Sequence, residues 1–352
     1  MSQSIPRPTA AFPLIVRLLI DLFQAGELPH VAELDVEPQY GYVARVVYHG
    51  GAVRLLRGTN TDANGLGAAE IARDKGYTKF FLQRLGYQVP RGETFLFPHY
   101  VDQIHRNVGR YAAPEYRRVE DAPAYVVDAL RYPCYVKPNN GSQGRGVSRV
   151  KDEGELRAVI QHLEELRTNA VVVEEEVALP DCRVVVWREE LVACYLRVPL
   201  QITGDGAATV RELLVREQVR QMALGRDTVI HLDDPRIVRR LRSAGWDLHT
   251  VLPAGHLYQV YDISNLSAGG EARDCTEALH PHWRELCVRL TREMGLQLCG
   301  VDLACADLTQ PEAAYSILEI NPAPGMDHYA AMGPRQMAIV RDFYRRLFSD
   351  PG

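Results

Sequence analysis

Three groups of residues in this 352-residue chain have types and spacings that could do chemistry. The first is the glycine loop NNGSQGRG, with Gly141, Ser142, Gly144, Arg145 and Gly146 between a run holding Lys137 and a run starting at Val147. Glycines let the backbone approach a phosphate closely and present N–H donors to it. The G-x-x-G-x-G spacing fits neither the Walker pattern nor the dinucleotide pattern with its following helix. Alone, such a loop is more often a glycine-rich hairpin than a nucleotide site. Lys137, just ahead of the loop, can place a point charge on any phosphates the loop covers.

The second group is Asp302, Glu319 and Asn321. Glu319 and Asn321 are two apart in a strand-like run, so they share one face while Leu318 and Ile320 take the other. That alternation by itself describes a solvated strand face. Asp302, however, lies in the apolar run CGVDLACA, where an unpaired carboxylate is costly to bury. Three hard oxygen donors at strand ends would suit Mg²⁺, with waters and substrate phosphates completing its shell. The third group is the run Glu174, Glu175 and Glu176. Charge runs are commonly solvated faces; this one separates two buried-looking strands, where a hinge could expose backbone groups to an adenine ring. Arg183, inside the second of those strands, is a candidate for neutralising transferred charge.

The elements that must position these residues interleave along the chain, which points to an α/β or α+β architecture built in several lobes. A first helix spans the apolar run near Phe12 to Phe23, where Arg17 and Asp21 fall on one face. A hairpin follows, turning at His49, Gly50 and Gly51. Next comes a helical segment that Gly86 stops before a strand near Val89, then a polar, Pro-containing stretch from Pro98 to Ala124 that reads as surface connection. Strands flank the glycine loop, a helix runs from about Asp152 to Arg167, and a hairpin turns at Glu189 and Glu190. Helices to about Leu224 and from Pro281 to Met294, two β-rich runs and a terminal helix complete the chain. The expected lobes are 1–125, 126–204 carrying the glycine loop, and 205–352 carrying the acidic trio.

Composition excludes several alternatives. Apolar residues make up 46% and charged residues 24%, as in soluble globular proteins. A formal charge of −5 gives no global drive toward nucleic acid or an anionic membrane, and no aromatic-plus-basic surface is evident. The seven cysteines include no C-x-x-C pair and resemble neither a zinc site nor a disulfide framework. Reduced thiols and a cytoplasmic setting are expected.

The three groups, in this order, resemble the ATP-grasp superfamily, and within it the ATP-grasp portion of cyanophycin synthetases and bifunctional glutathione synthetases. The similar stretches include IARDKGYTKFFLQRLGYQVPRG, YVKPNNGSQGRGVSRV, VVVEEEVALPDCRVVV, RVPLQITGDGAATVRELL, NLSAGGEARD and GVDLACADLTQPEAAYSILEINPAPGMD. They span residues 64 to 330; the first 60 or so match no familiar pattern. The resemblance implies an ATP-grasp fold holding nucleotide between two β-rich lobes. It also implies a carboxylate–amine ligase that forms an amide through an acyl phosphate, with positioning and charge neutralisation in place of a protein nucleophile. By position, Lys75 and Lys137 resemble the family's phosphate-contacting lysines, and the loop from Gly141 to Gly146 its lid over the β- and γ-phosphates. Glu174 and Val177 resemble the adenine hinge and Asp181 the residue that holds the ribose. Arg183 and Arg197 resemble arginines near the transferring phosphoryl group. Arg211 and Ser267 resemble residues that close over the acyl phosphate. Asp302, Glu319 and Asn321 resemble the ligands of two Mg²⁺ ions, a role Mn²⁺ could also fill. Where many relatives read Glu-Lys at the hinge, this chain has Glu174 and Glu175.

The expected substrates are therefore ATP with an amino acid, a short peptide or a carrier-bound amino acid. An assembly of several copies of the chain is expected, with neither nucleic acid nor membrane as partner. The alternative from another class is an ATP-binding sensor or scaffold without ligation; a degenerate relative of that kind would be expected to lose the phosphate lysines or metal ligands that this chain keeps.

Overall fold

The computed structural model describes residues 12–108, 116–141, 144–223, 229–262, 266 and 269–349. The chain opens with α1 (Leu14–Gln24), β1 (Val31–Val36), β2 (Val43–Tyr48) and β3 (Val53–Arg57), the strands forming an antiparallel sheet in chain order. Helices α2 (Leu66–Arg73) and α3 (Lys75–Arg84) follow. A second sheet is built from β4 (Gly92–Leu96), β5 (Cys134–Pro138), β6 (Ser148–Val150) and β7 (Ala170–Glu175), ordered β4-β7-β5-β6. Its helices are α4 (Pro98–Val108), α5 (Ala122–Ala129) and α6 (Glu153–Glu165).

The remainder holds β8 (Asp181–Trp187), β9 (Glu190–Val198), β10 (Gln201–Thr203), α7 (Val210–Ala223), α8 (Pro235–Ser243), β11 (Leu257–Gln259), β12 (Glu271–Asp274), α9 (Pro281–Glu293), β13 (Leu298–Cys305), β14 (Tyr315–Asn321), α10 (Asp327–Ala330) and α11 (Pro334–Ser349). Five of these strands make the largest sheet, in the order β12-β9-β8-β13-β14. The named strand pairs are antiparallel, so helices and sheets are organised as α+β lobes.

Four apolar clusters hold these units. One face of the large sheet, with Val185, Tyr195 and Leu298, shares a core with α1, the first sheet and α11. Its other face, with Val184, Val301 and Ile320, is covered by α9 through Trp283, Leu286 and Leu290. β13 is consequently buried along its whole length. The second sheet closes over α6, and the stretch from β10 to β11 has a small core of its own around Leu214, Ile237 and Leu241.

Three expectations change. Sheet pairing cuts across the divisions at 125 and 204: β4 pairs with β7 inside the second sheet, while β8 and β9 pair with each other and, through β8, with β13 in the third. The stretch 98–124 is not merely surface connection, because it contains α4 and places Val101 and Val119 in the interior. Its polar composition hid one apolar stripe. The single helical segment after residue 64 is two helices, broken at Asp74, whose side chain caps the second by accepting from Tyr77 N–H.

Candidate active site between α3, the second sheet and the large sheet

The cap at Asp74 fixes where α3 starts and hence where its lysines point. Its carboxylate also accepts from Asn139 Nδ2 at 2.6 Å, while Asn139 Oδ1 accepts from Gly76 N–H at 2.9 Å. A Cβ on Gly76 would lie 2.6 Å from Thr94 Oγ1, so this approach requires glycine. The helix start is thus tied to the end of β5, immediately before the glycine loop. From there Lys75 Nζ reaches Glu319 Oε1 on β14 at 3.4 Å and donates to the Gly141 carbonyl at 3.3 Å.

One turn further along α3, Lys79 meets Glu174 of β7 at 3.0 Å. Lys137 of β5 pairs with the other oxygen of the same carboxylate. Glu174 is buried, and burial opposes its ionisation, but the two ammonium groups outweigh that and hold its carboxyl below the ordinary range. Burial likewise opposes the charge on Lys137, and Glu174 more than offsets it, raising the ammonium pKa. One carboxylate with two lysines leaves this trio with an excess positive charge; Lys79 and Glu174, together with Lys75 and Glu319, line the cleft bounded by Ala72, Leu82, Val89 and Ile317.

The large sheet supplies the opposite side. Register places Arg183, Asp302 and Glu319 abreast on β8, β13 and β14, and pairs Asp181 with Arg197 across β8 and β9. Asp302 Oδ1 accepts from Arg183 Nε at 2.5 Å and its Oδ2 lies 2.9 Å from Arg197 Nη2. Arg197 also reaches Asp181 at 2.6 Å. Burial works against ionised Asp302, yet the two guanidinium groups prevail and lower its pKa. For Asp181 the balance reverses, since burial raises it, Arg197 opposes, and the nearby Asp302 charge pushes it up further. Gly300 makes room for this arrangement: a Cβ there would lie 2.9 Å from Pro324 Cβ and 3.1 Å from Arg183 Cδ.

The residues singled out from the sequence therefore divide. Lys75, Lys137, Gly141, Glu174, Asp181, Arg183, Arg197, Asp302 and Glu319 are brought together by direct contacts or shared register. Asn321 lies two residues along β14 on the Glu319 face, its Oδ1 accepting from Ala323 N–H at 2.9 Å. Gly144 is held by Arg236 of α8, which donates to its carbonyl at 3.0 Å, and Gly144 and Gly146 both take positive φ. Arg145 is exposed beside them, and Val177 is half-buried just past β7. Glu175 turns away to Arg91 at 2.7 Å. Arg211 is exposed on α7, in the unit with the separate small core. Ser142 and Ser267 lie outside the described residues. Lys79, Asp74 and Asn139 were missed; the four-residue spacing of Lys75 and Lys79 and the Asp before a helix start were the available signals.

Two carboxylates and an amide oxygen on one face of adjoining strands form a hard donor set that fits a divalent cation such as Mg²⁺. Among the described residues no group of three His, Cys, Asp or Glu side chains could hold a metal. The seven cysteines are free thiols, and among the described residues no helix is long and apolar enough to cross a membrane.

Comparison with known proteins bears on the fold. Residues 108–205 match the family model of the D-ala D-ala ligase C-terminus. The bifunctional glutathione synthetase from Pasteurella multocida superposes over 96% of this chain and 44% of its own, with a TM-score of 0.57 at 22% identity. The chain has the fold of the ATP-grasp ligases. Cyanophycin synthetase from Synechocystis is 30% identical over 80% of this chain and 31% of its own length. The glutathione biosynthesis bifunctional protein of Streptococcus mutans is 26% identical over 95% of this chain and 42% of its own. The chain thus spans about a third to two-fifths of these curated relatives. Coverage of 95% also means that most of the first 60 residues, which resembled nothing in the sequence, have counterparts in the bifunctional proteins.

Proposed function

We propose that this protein is an ATP-dependent carboxylate–amine ligase that joins an amino acid or short peptide to an amine. The carrying observation is the convergence of Lys75 and Lys79 from α3 and Lys137 from β5 on the edge of a sheet presenting Asp302 and Glu319, with Lys75 bridging the two sides. In this reading a substrate carboxylate oxygen attacks the γ-phosphorus of ATP, the bond to ADP breaks, and an acyl phosphate results. The amine then attacks the acyl carbon, phosphate leaves, and the amine's surplus proton passes to solvent.

The chain's own groups serve charge and position. Lys75 and Lys137 hold the phosphates, and Lys79 keeps Glu174 from neutralising Lys137 completely. The glycine loop, anchored at Gly141 by Lys75 and at Gly144 by Arg236, covers the transfer and keeps water from the acyl phosphate. Arg183 and Arg197, fixed by Asp302 and Asp181, face the charge that develops as the phosphoryl group moves. Asp302, Glu319 and Asn321 would hold Mg²⁺, which when bound offsets phosphate charge; whether one ion or two are held, and whether Mn²⁺ serves, belongs to the same proposal.

The test is phosphate release from ATP and Mg²⁺ over a panel of amino acids and dipeptides, with mass measurement of the product. Turnover that needs carboxylate and amine together, and that is abolished by Glu319→Gln with Asn321→Ala, is expected. Nucleotide binding without turnover for every pair would instead support a sensor or scaffold, and a phosphorylated acid with no amide would support a phosphotransferase.

A further inference from the structure

Helix α8 reads PRIVRRLRS, with Ile237 and Leu241 buried in the small core beneath it. Arg236, Arg239, Arg240 and Ser243, at spacings of three and four, therefore share the opposite face. That face looks at the second sheet: besides the Arg236 bond to Gly144, Lys151 just past β6 donates to Ser243 Oγ at 2.7 Å. Between the two units lies a cleft of about 180 Å³, with Arg149 and Lys151 on one wall and Arg239 and Arg240 on the other.

Cations thus face cations across the cleft, and the compensation is incomplete. Arg149 is matched by Glu176 at 2.8 and 2.9 Å, and Arg240 by Asp262. Glu155, the other carboxylate in the lining, accepts from the Lys151 backbone N–H at 3.0 Å. Neither the Arg239 guanidinium nor the Lys151 ammonium has a carboxylate partner within ion-pair distance among the described residues. With Glu176 included, the four cations of the lining stand against three carboxylates, Glu155, Glu176 and Asp262, so one positive charge is in excess. Like charges held this close repel unless an anion enters.

We propose that this cleft is an anion site for a phosphate-class oxyanion, bound between the second sheet and α8. Its donors, the Arg239 guanidinium and the Lys151 ammonium, come from opposing walls, which suits a tetrahedral acceptor better than a planar one; the Ser243 hydroxyl, which donates to the Arg239 carbonyl at 3.0 Å and accepts from Lys151, positions the two. The volume leaves room for the ion and some of its water. Occupancy would tie Lys151 and Arg239 together and so hold α8, with Arg236, against the glycine loop. None of Lys75, Lys79 or Lys137 lines this cleft, so the site stands apart from the proposed triphosphate position and does not depend on the ligase reading.

The test is calorimetric titration of the full chain with inorganic phosphate at constant ionic strength, repeated with Arg239→Gln/Lys151→Gln, with the charge-preserving Arg239→Lys/Lys151→Arg, and with Lys137→Ala. Binding that weakens about tenfold or more in the glutamine pair, persists in the charge-preserving pair, and survives Lys137→Ala is the expected result. If the lysine cluster also takes phosphate, two binding events appear and the two kinds of variant remove different ones. No binding to the parent chain, equal affinity in the glutamine pair, or loss only in Lys137→Ala would overturn the proposal. Phosphoserine in place of phosphate separates the sources: comparable binding identifies a phosphomonoester, and binding of phosphate alone a free ion.

Discussion

Glu174 and Asp302 are both buried carboxylates flanked by two cations, but their neighbourhoods differ in charge balance. Asp302 belongs to a set of two aspartates and two arginines, all on strands of one sheet and neutral in sum. Glu174 alone faces Lys79 and Lys137, which arrive from a helix and a neighbouring strand, leaving one positive charge unmatched. The first arrangement is complete as built. The second carries one more lysine than carboxylate, and that asymmetry is why the proposed reaction assigns the phosphates to the α3 side.

Removing one partner from the complete set should cost most. Asp302→Ala would strand Arg183 and Arg197, neither able to shed its charge, with Asp181 as sole counterion; a loss of about 3–5 kcal/mol is expected in denaturant unfolding. A loss below about 1 kcal/mol would mean the set is solvated and the contrast false. Glu174→Gln should cost less, about 2 kcal/mol, since lysines can shift toward water or deprotonate. Unlike the first loss, it should be partly restored by an ATP analogue, measured as a larger ligand-induced rise in Tm than in the parent. Gly300→Ala, which crowds Arg183 and Pro324, should lower stability by about 1–3 kcal/mol and affect turnover more than nucleotide affinity. Asp74→Ala should cost about 1 kcal/mol through the lost cap, and should raise KM for ATP because Lys75 is no longer fixed.

Acid dependence sharpens the comparison further. Glu174 and Asp302 have folded pKa values below their ordinary values of 4.5 and 3.8, so their stabilisation is present above those values and fades as pH falls through the folded ones. Lys137, raised above 10.5, contributes below that value and loses its contribution as pH rises through its folded value. Stability should therefore be level between about pH 5 and 9 with respect to these groups. Glu174→Gln should remove part of the acid-side slope in unfolding midpoint against pH.

How much of this was legible depended on distance along the chain. Strand alternation and an out-of-place charge were enough to single out Asp302, Glu319 and Asn321, and β13 and β14 bring them abreast. The helix starting at Pro281 and the hairpin at His49 to Gly51 follow from proline and glycine rules, and both elements form there. The partner of Lys79 lies 95 residues away and that of Asn139 65 residues away, so no local pattern announced them. Likewise β4 reads as an isolated strand until its partner β7, near residue 172, is known. The separate core of the β10–β11 stretch left no mark in composition, because its apolar residues are as sparse as those of any amphipathic helix pair.

The core shared by α1, the first sheet and α11 has a consequence for how the protein is made. Tyr48 Oη donates to the Phe348 carbonyl and Arg54 to that of Leu347, contacts separated by about 300 residues. Contacts of such separation close late. During synthesis the β4–β7 sheet with α6, whose residues lie within 92–175, can assemble while the ribosome is still translating. The apolar face of α1 and the first sheet must wait, exposed, until residue 348 has emerged.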